Sequence, residues 1–257
     1  MKYGICTSAE VAAKAKQCGY DYIEPALQMV ANMSEEEFDI FLETMKAADM
    51  KCLAMCGFFP ATLKLVGDEA HFEKIKSYID FSLSRAAKLG AETVVFGSGA
   101  ARTIPLGSDR EKCTRQLIDA ISYAGNVAAK YGITIVIEPL NANETNMATT
   151  VSEAVEFVDK VNLPNVKTMV DFHHFHIMKE DYSVLFEVKD YLAHMHIARG
   201  TADRGVPHLE SDREYLEEVF GVINQLGYDG TLTIEAIYKD FETEMVEAIK
   251  IFKEVNA

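Results

Sequence analysis

The sequence predicts an α/β fold in which eight parallel strands close into a barrel, the (β/α)8 or TIM barrel, as a single domain over residues 1–257. Three observations predict it. Short β-branched or apolar runs alternate with helical stretches at roughly 32 residues per unit, the repeat of a βα barrel. No Ser/Gly-rich linker, low-complexity block or long charge run divides the chain, and a hydrophobic content of 49% suffices for one large core. No G-x-G-x-x-G follows a strand, which counts against an open doubly wound sheet.

KYGIC at 2–6 opens the chain as a strand, and SAEVAAKAKQCG follows as a helix stopped at Gly19. YDYIEP is the second strand. Ser34 and Glu37 then form a capping box for the helix SEEEFDIFLETMKAADM. KCLAMC reads as the third strand, with Cys52 and Cys56 on one face as small wall residues. GFFPATLKLVGDEA is a long aromatic and apolar loop, and loops of such length tend to be functional. Phe58 and Phe59 within it are expected to cover a substrate and exclude water. A helix from about His71 to Leu89 leads to the strand TVVFG and a second long loop, SGAARTIPLGSD, which holds Arg102. The helix from about Asp109 to Tyr131 precedes the strand ITIVI. Thr150 and Glu153 predict a second capping box, for a helix ending near Val161, and Pro164 turns the chain into VKTMVD. LAHMHI and GTLTIE complete the strands, separated by a helix near Asp212 to Leu226, and a last helix runs from about Phe241 to Val255.

The formal charge of −15 argues against a phosphate-backbone partner, which needs a clustered basic surface, and favours a neutral small substrate. Five cysteines without a C-x-x-C pair suggest neither a disulfide framework nor a zinc knuckle. With no apolar stretch near eighteen residues and no charged-then-apolar leader, a cytoplasmic protein without membrane contact is expected.

Four strands finish on groups that bind cations. ITIVI runs into Glu138, VKTMVD ends at Asp171, LAHMHI carries His196 near its end, and GTLTIE ends at Glu235. In a parallel barrel the C-terminal strand ends surround one mouth, so these groups converge. Three carboxylates and an imidazole without thiolate suit a hard or borderline divalent ion, Mn2+ first, with Mg2+ and Co2+ as alternatives. A single acid at a strand end is usually an N-cap; four in matching positions point to a site. Six of the seven histidines follow residue 170. His194 and His196 share a strand face, and His196 lies nearer the mouth, leaving His194 one layer deeper.

At these residues the sequence resembles the sugar phosphate isomerase/epimerase superfamily, the xylose isomerase-like barrels that include the ketose 3-epimerases. The markers are IEPLN at 137–141, D-x-x-H from Asp171 to His174, H-x-H at 194–196 and TIE at 233–235. The resemblance implies that Glu138, Asp171, His196 and Glu235 hold one divalent metal, and that Glu144, His174 and Arg204 grip substrate hydroxyls. It departs at HMHIARGTADRGVPH, where Arg199 replaces an acid and Arg204 lies two residues further on than expected, leaving either arginine for the substrate role.

The chemistry implied is proton transfer beside a ketose carbonyl, with Glu138 and Glu235 as the acid/base pair on opposite faces of one carbon. Aldose-ketose isomerisation uses the same enediolate. Relatives that cleave 3-oxo-C-glycosides with a small partner subunit, and a non-catalytic sugar-binding barrel, are the alternatives. The partners expected are a small sugar, further copies of the chain in a homo-oligomer and, for a lyase, that small subunit. Endonuclease IV-like phosphodiesterases share the barrel but need histidines after the third and fourth strands, where this chain reads MCGFF and VFGSG.

Overall fold

A computed structural model describing residues 1–256 places the strands β1 (Lys2–Cys6), β2 (Tyr22–Glu24), β3 (Ala54–Met55), β4 (Thr93–Phe96), β5 (Thr134–Ile137), β6 (Val166–Asp171), β7 (Leu192–Ile197) and β8 (Thr231–Ile234) in one sheet. Every pairing is parallel, and β1 lies between β2 and β8. The ring completes between β2 and β3 through the bridges Tyr22 to Lys51 and Ala26 to Cys56. That seam is the sparsest. The third strand is shorter than KCLAMC predicts, because the Leu53 carbonyl accepts from both Glu92 (2.9 Å) and Thr93 (3.0 Å) and interrupts the ladder.

Helices cover the outside of the sheet, and each begins and ends for local reasons. Val151–Val161 buries Val151, Ala154, Phe157 and Val158, a stripe at helical spacing. Burying each of its valines and its phenylalanine contributes about 1.5–3 kcal/mol, so Phe157→Asp would undo the docking. Thr150 accepts from the Glu153 N–H at 3.2 Å as expected. Glu153 does not return to Thr150 but takes the Thr149 N–H at 2.7 Å, so the predicted reciprocal box is displaced by one residue. Asn162 ends the helix in the left-handed region, at φ 50°. The Ser34 capping box forms as predicted, and no helix among the described residues is long and apolar enough to cross a membrane.

Two features of the strands set up the mouth. Between β6 and β7 the register shifts by one residue: Thr168 pairs with Leu192, but Met169 pairs with His194 and Asp171 with His196. Without the shift Asp171 would stand level with Met195, whose side chain faces the helices. Inside the barrel, Tyr22 lies across the bore, and a Cβ at position 4 would meet its ring at 2.3 Å, so only glycine fits there. Above it Val95, Val136 and Met169 fill the interior.

Candidate metal centre

One residue from the C-terminal end of each strand forms the mouth, in the order Cys6, Glu24, Cys56, Gly97, Glu138, Asp171, His196 and Glu235. The last four offer ligand atoms, and Gly97 leaves the space that the Glu138 side chain occupies: a Cβ on Gly97 would lie 2.0 Å from Glu138 Oε2. Glu138, Asp171, His196 and Glu235 each present one ligand atom, all within 4.8 Å of one another. His196 Nδ1 lies 2.9 Å from Glu235, 3.6 Å from Glu138 and 4.0 Å from Asp171.

Adjacent ligands of an ion held at about 2.1 Å stand about 3 Å apart, so the cluster is near coordinating size. The hydrogen bonding agrees with that role. His196 Nε2 meets Glu24 at 2.9 Å, whereas buried Nδ1 makes no hydrogen bond among the described residues despite its nearness to Glu235. With the proton on Nε2, the Nδ1 lone pair points into the carboxylates, an arrangement that a cation reconciles.

Glu24 is fully buried on β2. It also meets His194 Nε2 at 3.0 Å and accepts from the Thr233 hydroxyl, while His194 Nδ1 lies 2.7 Å from the Thr231 hydroxyl. Burial opposes charging Glu24, but His196 and His194 beside it hold its carboxyl well below the usual range. His194 thus sits one layer deeper, as the alternation predicts.

Arg204 closes the other side. It donates to Asp171 at 2.6 Å and to the Glu235 carboxylate, and its Nε donates to the Glu235 carbonyl at 3.1 Å. Burial works against the charge of Asp171, yet Arg204 foremost, with His174 and His196, holds that carboxyl low. His174 Nε2 stands 3.0 Å from Arg204, and its Nδ1 stands 2.9 Å from the Asn141 amide, which also donates to Glu144 at 3.0 Å. Glu144, Asn141, His174 and Arg204 therefore form a continuous polar rim. Arg199 turns away to Asp212 at 3.2 Å, so of the two arginines only Arg204 reaches the centre.

The xylose isomerase-like TIM barrel family matches residues 12–255. The chain belongs to that family. It is 25% identical over 248 residues to D-psicose 3-epimerase of Agrobacterium fabrum, covering 95% of this chain and 83% of that one. It is 25% identical to 3-dehydro-D-guloside 4-epimerase of Escherichia coli, covering 71% of each. A solved D-psicose 3-epimerase, crystallised in the presence of D-fructose, superposes with a TM-score of 0.85 at 22% identity, over 100% of this chain and 99% of that one.

Within this xylose isomerase-like barrel the aromatic loop packs onto β4. Phe58 and Phe59 are 0% and 2% exposed, stack at 4.1 Å and pack on Phe96, with Phe59 and Phe96 centroids 5.0 Å apart. Tyr78 and Ser98 tie down their backbone. Both rings are taken up by this packing and secure the loop to the barrel. The second loop contains a short helix, Gly99–Arg102, and buried Arg102 donates to the carbonyls of Phe96 (3.0 Å) and Glu138 (2.7 Å), fixing the backbone that carries Glu138. Glu24 and Asn141 are the site residues that sequence reasoning passed over. Glu24 had a signal: the tripeptide Ile-Glu-Pro occurs at 23–25 and again at 137–139.

Proposed function

We propose that the protein is a divalent-metal-dependent sugar epimerase or isomerase that moves a proton beside a ketose carbonyl, with Glu138 and Glu235 as its acid/base pair. The observation that carries this reading is the placement of the two glutamates. They extend from β5 and β8, with Asp171 and His196 on the two strands between, so a sugar seated against the centre has a carboxylate on either side. The named relatives are sugar epimerases, which supports the same reaction class.

Glu138, Asp171, His196 and Glu235 would hold the ion, Mn2+ first among candidates. A bound divalent ion would polarise the carbonyl and stabilise the negative charge that follows loss of the adjacent proton. One glutamate takes that proton and the other returns one to the opposite face, inverting the carbon. Glu144, His174 and Arg204 orient the hydroxyls around the reacting carbon, and Arg204 adds a fixed positive charge. A cavity of about 420 Å³ adjoins Cys6, Glu24 and Cys56 and continues over Met29, Val30 and Met33. Its lining holds no lysine or arginine, which favours an unphosphorylated sugar.

The test is turnover of the manganese-loaded protein on free ketoses, sugar phosphates and 3-oxo-glycosides in heavy water. Solvent deuterium at an inverted carbon is expected, with Glu138→Gln and Glu235→Gln each losing turnover by about 10²- to 10⁴-fold or more. Product free of solvent label would remove one glutamate from its role, and full activity without a divalent ion would overturn the reading.

A further inference from the structure

Cys6 and Cys56 do not belong to the centre described above, yet they face it. Their sulfurs lie 3.9 Å apart, and both line the cavity that opens beside Glu24. Together with Glu235 they bring three ligand atoms within 4.8 Å of one another. Cys6, Glu24 and His196 form a similar group, but there the carboxylate and the imidazole already face each other at 2.9 Å.

We propose that Cys6, Cys56 and Glu235 form a second cation site, selective for a soft or borderline divalent ion such as Zn2+ or Cd2+. The spacing supports this. Two thiolates bound to one tetrahedral zinc at about 2.3 Å stand about 3.8 Å apart, close to the separation seen here. A disulfide is the other product two such sulfurs suggest, and the backbone opposes it. Cys6 pairs with Glu24 on β2, and Cys56 bridges Ala26 just past the same strand, so β2 separates them. Two interstrand steps of about 4.8 Å put their backbones roughly 9 Å apart, beyond the ~7 Å that a disulfide spans.

Ligand chemistry divides the two sites. Oxygen and imidazole donors suit Mn2+ or Mg2+, whereas thiolates select softer ions. Binding at the second site displaces the two thiol protons to solvent, with no change of oxidation state. Three protein ligands leave a position for water, so the ion exchanges through the cavity and is not a structural zinc. The sites share only Glu235. An ion between the cysteines would draw on the carboxylate that the proposed proton transfer needs, making soft metals antagonists of the hard-metal enzyme.

The experiment titrates the full chain, loaded with Mn2+, with Cd2+. Expected are one further equivalent of Cd2+, thiolate-to-cadmium charge-transfer absorbance in the ultraviolet, and release of two protons. The absorbance should disappear in Cys6→Ser and in Cys56→Ser and persist in Asp171→Ala, which removes a ligand of the first centre alone. Cadmium-113 NMR of the unmodified protein, with diamagnetic Mg2+ in place of Mn2+, provides a reading that no substitution can disturb, since a two-sulfur environment resonates far from one of oxygen and nitrogen ligands. A signal of oxygen and nitrogen ligands without sulfur, or absorbance surviving in both serine variants, overturns the proposal. Absorbance without any Mn2+ binding would overturn the first centre and leave this site standing.

Discussion

Glu24 and His196 meet at 2.9 Å through Nε2, on strands that are not neighbours, and this contact fixes which imidazole nitrogen is left for a metal. Glu24→Gln keeps the size of the side chain but removes the charge that orients the ring. Metal affinity should fall by roughly 10- to 100-fold while the fold persists, the usual effect of losing a ligand's hydrogen-bond partner. Calorimetric titration with Mn2+ checks this; unchanged affinity would separate Glu24 from the centre.

Gly97→Ala should act on Glu138 from the next strand. The new methyl would meet Glu138 Oε2 at 2.0 Å, and the carboxylate must move. We expect metal binding weakened by roughly tenfold or more with native circular dichroism. Retention of full affinity would mean that Glu138 has another position equally good for coordination.

Arg204 is expected to oppose the metal and favour the sugar. Its positive charge lies against Asp171 and Glu235, so Arg204→Ala should bind a divalent ion at least as tightly as the unmodified protein. Loss of its contacts to substrate should cost about 2–4 kcal/mol, roughly 30- to 1,000-fold in kcat/KM. Metal and substrate titrations on the same variant decide the matter, because a purely structural arginine would weaken both.

Phe59→Ala should destabilise the protein by about 3–5 kcal/mol, the range for emptying a buried aromatic site. Phe59→Leu, which keeps most of the volume, should leave the KM for the sugar unchanged. A large rise in KM with little loss of Tm would restore the ring to the substrate.

The pH dependence of stability should carry a contribution from Glu180. Burial raises its carboxyl to about 7, against the Val151 N–H bond that favours the charged form, with Glu153 adding to the rise. An acid with a raised folded-state pKa binds more protons folded than unfolded. Stability from this group is therefore full below about 4.5 and is lost as pH rises toward 7. Partial exposure limits the effect to about 1 kcal/mol. Glu180→Gln should flatten the fall in Tm over that window, and an unaltered slope would rule the group out.

The barrel and its four proposed ligands were legible because both rest on short-range patterns. Alternation along a strand fixes which side chains enter the bore, and a parallel barrel gathers the strand ends at one mouth. Glu138 and Glu235 need nothing more, whereas Asp171 and His196 stand level only through the register shift between β6 and β7. That Phe58 and Phe59 pack on Phe96 was not legible, because an aromatic loop has the same composition whether its rings cover a ligand or anchor the loop. Glu24 and Arg102 act through contacts across the barrel and between loops; the repeated Ile-Glu-Pro marks Glu24 as a strand-end acid, but no local pattern records which side chain it meets. The choice between Arg199 and Arg204 likewise depended on how the loop folds. Arg204 adopts φ 48°, a conformation most residues avoid, and the bridge from Gly205 to Ile237 holds it there.

The extra residue in β7 has a consequence for anyone transplanting this site. A strand with one residue inserted changes phase partway along, so the same letters written into a regular barrel would bring Met195 level with Asp171 and turn both histidines toward the helices. A graft of His194-Met195-His196 onto another scaffold must therefore carry Ala193 and its irregular pairing with it. In that sense the motif is four residues long, and its smallest member, Ala193, decides whether the two histidines are inside.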